Sequence, residues 1–308
     1  RIDKGTKILI TDPQAGGHGS LPKLCDNLGI QYAPIPYDYM RMQIDYDGLN
    51  QILEQDSRVS FLFFCQSDII QPPELQKINL PPKVGIIYDA TQTLGLIAGG
   101  ALPNPLEACQ NIIMIGGTHK TFPSVTCGYV ATNNDNYINR VKQNISPNFL
   151  RNVQVNNITS VCLSMLEMLK FGEAYAQKII WTANALGDAL SGDGLRVKCT
   201  EDGAFSHTHQ LFIEVPKEQV DISYTHFRNY GITLNKRKTA YLTGFRLGVQ
   251  EIARYHFDEH IANLAHLLCL VLNSPEKYHE IMNLKATLAL CKSDQYVICL
   301  LYTSDAAD

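Results

Sequence analysis

The sequence predicts an α/β protein: a mostly parallel sheet with helices on both faces, followed by a small α+β domain. Short aliphatic runs recur through residues 6–132, separated by helix-length connections, the pattern of a sheet buried on both faces. From Asn157 to Leu190 the apolar residues fall at helical spacing instead. Beyond a glycine-rich stop, shorter strand and helix signals alternate.

Taken in order, TKILITD at 6–12 is an apolar run closed by Asp-Pro, a strand and then a turn. Leu21–Leu28 reads as a helix. Val59–Phe64, Val84–Asp89, Ile112–Ile115 and Tyr129–Thr132 read as the second to fifth strands. In such sheets ligands gather at strand ends. Ile158, Val161, Met165, Leu169, Ala176, Ile179, Ala183, Leu186 and Leu190 trace a long helical stretch, with a break expected at Phe171-Gly-Glu. SGDG at 191–194 ends it. The small domain is expected to hold strands at Leu195–Cys199, His209–Val215 and Gly231–Asn235. A helix is expected near Tyr224–Tyr230, and an amphipathic one over Asp258–Asn273. The expected domains are 1–171 and 172–298. The tail CLLYTSDAAD at 299–308 resembles a translated sequencing adapter and is set apart from the fold. The chain opens at Arg1, with neither Met nor a signal-peptide pattern, and reads as a piece of a longer protein.

Of the 308 residues, 45% are hydrophobic and 18% charged, a globular composition. The formal net charge of -4 gives no basic surface for nucleic acid, and no 18-residue apolar run suggests a membrane span. Nine cysteines stand singly, with no C-x-x-C pair, which reads as reduced thiols in a cytoplasmic protein. SHTH at 206–209 offers two histidines without a clear third ligand and reads as a polar strand start, so no metal is expected.

Chemistry concentrates in GGTHKTF, residues 116–122. Asp89 ends one strand and Lys120 follows another, 31 residues later, so both fall at the loop edge of one sheet. A lysine held by a rigid strand end can form a Schiff base. A carboxylate at the neighbouring strand end can hold a protonated pyridine nitrogen. Together they are what pyridoxal 5'-phosphate (PLP) requires.

Around that pair, YDATQTLGLIAGG (88–100), PNP (103–105) and GTHKT (117–121) resemble the serine hydroxymethyltransferase pattern D-x-A-H-x-x-G-L-I-A-x-G, P-N-P and T-T-H-K-T. AGGHGS (15–20), ITLNK (232–236) and TGFRLG (243–248) match further family segments in the same order. The resemblance covers about residues 6–270 and implies a fold-type I PLP enzyme. It implies that Lys120 is the Schiff-base lysine, Asp89 the pyridinium partner and His18 the ring that stacks on the cofactor. Arg246 would bind the substrate carboxylate, with two parallel hydrogen bonds, and His119 would act beside the lysine.

The departures are equally specific. Gln92 stands where the family has histidine, and an amide takes up no proton at neutral pH. Cys65 lies where a cofactor-contacting serine is expected. Thr126 and Cys127 replace an arginine and a glycine, and RNVQVNN (151–157) replaces the family's Q-G-G-P-H. The family's amino-terminal part, which supplies its phosphate-binding residues, has no counterpart here.

The resulting expectation is PLP-dependent aldol or retro-aldol transfer on a glycine-, serine- or threonine-type amino acid, with an aldehyde as possible second substrate. Use of tetrahydrofolate stays open. The alternatives are a folate-independent threonine aldolase or transaldolase, an aminotransferase, and a catalytically inactive binding protein of the same fold. The resemblance also implies a homodimer.

Overall fold

The computed structural model describes residues 5–145, 148–239, 242–255 and 257–290; the adapter-like tail lies outside them. The chain divides into two compact units, one ending at Glu173 and the other beginning at Ala174.

The first unit runs β1 (Lys7–Ile10), α1 (Ser20–Leu28), β2 (Gln31–Pro34), β3 (Tyr37–Asp38), β4 (Gln43–Ile44), α2 (Tyr46–Gln55), β5 (Val59–Cys65), β6 (Gly85–Asp89), α3 (Leu94–Ala98), β7 (Ile112–Gly117), β8 (Gly128–Ala131) and α4 (Asp135–Ile145). Six of these strands form one sheet in the order β2-β1-β5-β6-β7-β8. All its pairings are parallel except β7 with β8. Strand side chains alternate between faces, and β5 shows the result. Leu62 and Phe64 join a core with Leu49 and Leu53 of α2. Phe61, Phe63 and Cys65 pack on the other face against Leu21 and Cys25 of α1. Helices therefore cover both faces, as the aliphatic strand runs require.

α5 (Val155–Gly192) is one continuous helix of 38 residues, and the boundary between the units falls within it. The break expected at Phe171-Gly-Glu is absent. A glycine inside a helix is tolerated at a cost of about 1 kcal/mol, and Gly172 sits where the helix passes close to Gly99: a Cβ there would lie 3.6 Å from the Gly99 Cα.

In the second unit, Tyr175, Ala176, Ile179, Ala183, Leu186 and Leu190 form the buried stripe of α5. β9 (Gln210–Glu214), α6 (Val220–Asn229), β10 (Asn235–Lys238), β11 (Thr243–Gly248), α7 (Ile261–Asn273) and α8 (Tyr278–Leu288) follow. The strands make an antiparallel sheet ordered β10-β11-β9. Phe227 of α6 meets Phe245 of β11 edge-on at 5.2 Å. Two strand expectations are corrected. Leu195–Cys199 contributes only one bridge, Val197 to Ile213. The strand expected at Gly231–Asn235 lies at Asn235–Lys238, a wholly polar edge.

Candidate active site

The parallel strands β1, β5, β6 and β7 all end at the same sheet edge. Cys65, Asp89 and Ile115 are register partners across β5, β6 and β7. Asp89 is half-buried, and its carboxylate is held from two sides. The Thr91 backbone N–H and hydroxyl both donate to Oδ1, at 2.9 and 2.5 Å. The Cys65 thiol donates to Oδ2 at 3.3 Å. Burial first, and the Asp89 carboxylate second, push the Cys65 thiol well above its ordinary range, so it stays a neutral donor.

His18 reaches this edge through its backbone, whose N–H donates to the Cys65 carbonyl at 2.9 Å. Its exposed ring contacts the Ser20 hydroxyl, Nδ1 to Oγ 2.6 Å. The preceding Gly17 permits that approach, because a Cβ would fall 2.1 Å from the Thr11 carbonyl oxygen.

Lys120 lies in a ten-residue loop, 118–127, between β7 and β8. Gly117 pairs with Gly128 at its base. Above that pair, the Thr118 N–H donates to the Cys127 carbonyl at 3.0 Å, and the Cys127 N–H donates to the Thr118 hydroxyl at 3.1 Å. The buried Thr121 fastens the middle of the loop to α3: its hydroxyl donates to the Gln92 carbonyl at 2.9 Å and accepts from the Gly95 N–H at 3.0 Å. Lys120 is half-buried. Among the described residues its amine has no hydrogen-bond or ion-pair partner. The exposed His119 ring folds back over Gly117, where a Cβ would lie 2.8 Å from its Cε1.

Gln92 joins Asp89, Gln66 and Tyr88 around a cavity of about 10 Å³, room for about one water. Gln66, whose buried Oε1 has no partner among the described residues, lines the same cavity. The structure thus brings together Asp89, Cys65, Gln92, His18 and the Lys120 loop with His119. Arg246 sits on β11 of the second unit, half-buried, opposite Phe212 and Asn235. His207 pairs with Asp202 at 3.0 Å while His209 is buried. Among the described residues no cluster could hold a metal ion, and no helix is long and apolar enough to cross a membrane.

Three residues of the edge escaped the sequence reading: Thr91, Thr121 and Tyr129. The Tyr129 hydroxyl is buried without a partner among the described residues. Its pKa is raised by burial and then by Asp89.

No protein-family model matches the chain. A serine hydroxymethyltransferase of Sulfolobus acidocaldarius is 32% identical over 273 residues, covering 83% of this chain and 62% of the relative. One from Aeropyrum pernix is 30% identical over 296 residues, covering 90% of this chain and 67% of the relative. The chain belongs to the serine hydroxymethyltransferase-like family of fold-type I, PLP-dependent proteins. It spans about two-thirds or less of the length of these relatives. An L-threonine transaldolase of Pseudomonas fluorescens shares the fold, with a TM-score of 0.82 at 24% identity over 94% of this chain and 69% of that one. Against the family's D-x-A-H, this chain reads Asp89, Ala90, Thr91, Gln92. The threonine at the alanine place was the signal that could have exposed Thr91.

Proposed function

We propose that the protein is a PLP-dependent enzyme of aldol type, cleaving or exchanging the side chain of a small β-hydroxy amino acid without folate. The observation that carries this is the lysine loop and the Asp89 carboxylate at adjacent strand ends of one sheet edge. The residues fit the cofactor: a half-buried amine without a partner can bond an aldehyde carbon, and a carboxylate fixed by three donors can receive a ring N–H. When bound, PLP supplies a ring that accepts the electron pair left on the substrate Cα.

In this reading the Lys120 Nζ would hold the cofactor and, once released, would move the proton at Cα. Asp89 would keep the ring nitrogen protonated. The His18 ring would stack on the cofactor, and Gln92 and Cys65 would help to hold it. Arg246 grips the substrate carboxylate bidentately, which orients the bond to be broken. His119 takes the β-hydroxyl proton as the Cα–Cβ bond breaks and an aldehyde leaves. A proton or a second aldehyde then takes the vacated place on Cα. Freedom from folate is favoured by Gln92, Thr126 and Cys127, which replace the family's histidine, arginine and glycine. The name of the transaldolase that shares the fold points the same way. The homodimer implied by the family is part of this reading.

The test is PLP uptake followed by absorbance, then aldehyde release from L-threonine with and without tetrahydrofolate. Release without folate, lost in Lys120→Ala, is expected. A requirement for tetrahydrofolate would make the protein a hydroxymethyltransferase instead. Amino transfer from alanine would make it an aminotransferase. No PLP uptake by the folded protein would leave the binding-protein reading.

A further inference from the structure

The two oxygens of Asp89 are held very differently. Oδ1 receives two donors from one residue, the Thr91 N–H at 2.9 Å and the Thr91 hydroxyl at 2.5 Å. That hydroxyl also accepts the Gly117 N–H, at 3.0 Å. A hydroxyl has one proton to give. With the proton on Asp89 and a lone pair on Gly117, the group is committed on both sides. The resulting chain, Asp89 Oδ1 to Thr91 Oγ1 to Gly117 N, ties the end of β6 to the end of β7, three residues before Lys120. Oδ2 is different: its one donor among the described residues is the Cys65 thiol at 3.3 Å, a weak donor that a stronger one displaces at small cost.

We propose that Thr91 is a positioning residue. It locks Asp89 by Oδ1, leaves Oδ2 as the oxygen offered to the cofactor's ring nitrogen, and fixes the distance from that oxygen to the lysine strand. The inference rests on the PLP reading above.

Thr91→Val keeps the shape and the backbone N–H but removes the hydroxyl; Thr91→Ser restores it. PLP affinity is read by absorbance titration of the full chain, together with the position of the visible band of the bound cofactor. Thr91→Val is expected to weaken PLP binding by about tenfold or more, the scale of a lost hydrogen bond to a charged group, and to shift the band. Thr91→Ser is expected to bind within about twofold of wild type, with the wild-type band. Wild-type affinity and band in Thr91→Val would overturn the inference, as would failure of Thr91→Ser to restore them. Should Thr91→Val not fold, amide hydrogen exchange in the wild-type protein decides. A protected Gly117 N–H is expected, and exchange at the rate of an open loop would refute the tie. A wild-type protein that takes up no PLP overturns the cofactor reading itself, and that shows before any variant is made.

Discussion

Thr121→Val should destabilise the first unit by about 1–3 kcal/mol. Thr121 is 0% exposed. Its hydroxyl joins two backbone groups, accepting from the Gly95 N–H and donating to the Gln92 carbonyl. Valine has the same shape but no hydroxyl, so the buried Gly95 N–H loses its acceptor and the half-buried Gln92 carbonyl loses one donor. The buried N–H costs about 1–3 kcal/mol and the second lost hydrogen bond about 1 kcal/mol; the added methyl returns somewhat under about 1 kcal/mol. The net loss is a large fraction of the roughly 5–15 kcal/mol that holds a domain folded. Thr121→Ser keeps both bonds and loses one methyl, so it should cost about 1 kcal/mol. The assay is urea unfolding followed by far-ultraviolet circular dichroism. Fluorescence of the single tryptophan, Trp181, would report on the second unit instead. If Thr121→Val unfolds within about 0.5 kcal/mol of wild type, or if serine proves the more damaging change, the two hydrogen bonds do not hold the lysine loop.

Lys120→Ala removes an amine without partners among the described residues, so it should change stability by less than about 1 kcal/mol while abolishing the visible band on PLP addition. A band that persists would move the attachment elsewhere. Gly17→Ala drives a methyl to 2.1 Å from the Thr11 carbonyl and 2.7 Å from the Asp12 carbonyl. Because backbone must shift, a loss of at least about 1–3 kcal/mol is expected, together with displaced His18 resonances; an unaltered melt would refute the close approach. Asp221 is held at a pKa of about 2, below its usual 3.8, by the Lys236 and Lys238 ammonium groups. A depressed carboxylate stabilises above its unfolded pKa and loses that effect on acidification, here between about pH 4 and pH 2. The pairs are exposed, so the effect is small and salt-sensitive. Asp221→Asn should flatten the acid slope of the urea midpoint in that window at low salt, and superimposable wild-type and variant slopes would show that the pairs contribute nothing.

The central strands were legible because each is a near-unbroken aliphatic run, and burial on both faces of a parallel sheet demands that composition. Asp89 and Lys120 were legible for a related reason: a charged residue closing such a run stands out. β10 was misplaced because NKRK has no apolar face; as an edge strand it needs only backbone pairing with β11. Gly172 looked like a helix end because local propensity carries no information about packing; Met168, Tyr175 and Ala176 are buried on either side of it and the helix runs on. Thr121, Tyr129 and the tie from Thr91 to Gly117 were invisible for the same physical reason. Their partners, Gly117, Gly95 and the surroundings of Asp89, are set by strand register and loop docking rather than by neighbours in the chain.

The antiparallel turn-back of β7 into β8 has a consequence for how the chain folds. Gly117 and Gly128 meet across only ten intervening residues, whereas Asp89 finds Ile115 across about twenty-five. Closing the longer loop costs about 1 kcal/mol more in chain entropy, and contacts between distant segments form late. The hairpin that carries Lys120 can therefore close before the parallel sheet exists, while the segment bearing Asp89 waits for β6 to dock on β5 and β7. On the proposed PLP reading, cofactor capture would then report on a late stage of folding, with the amine placed before the carboxylate.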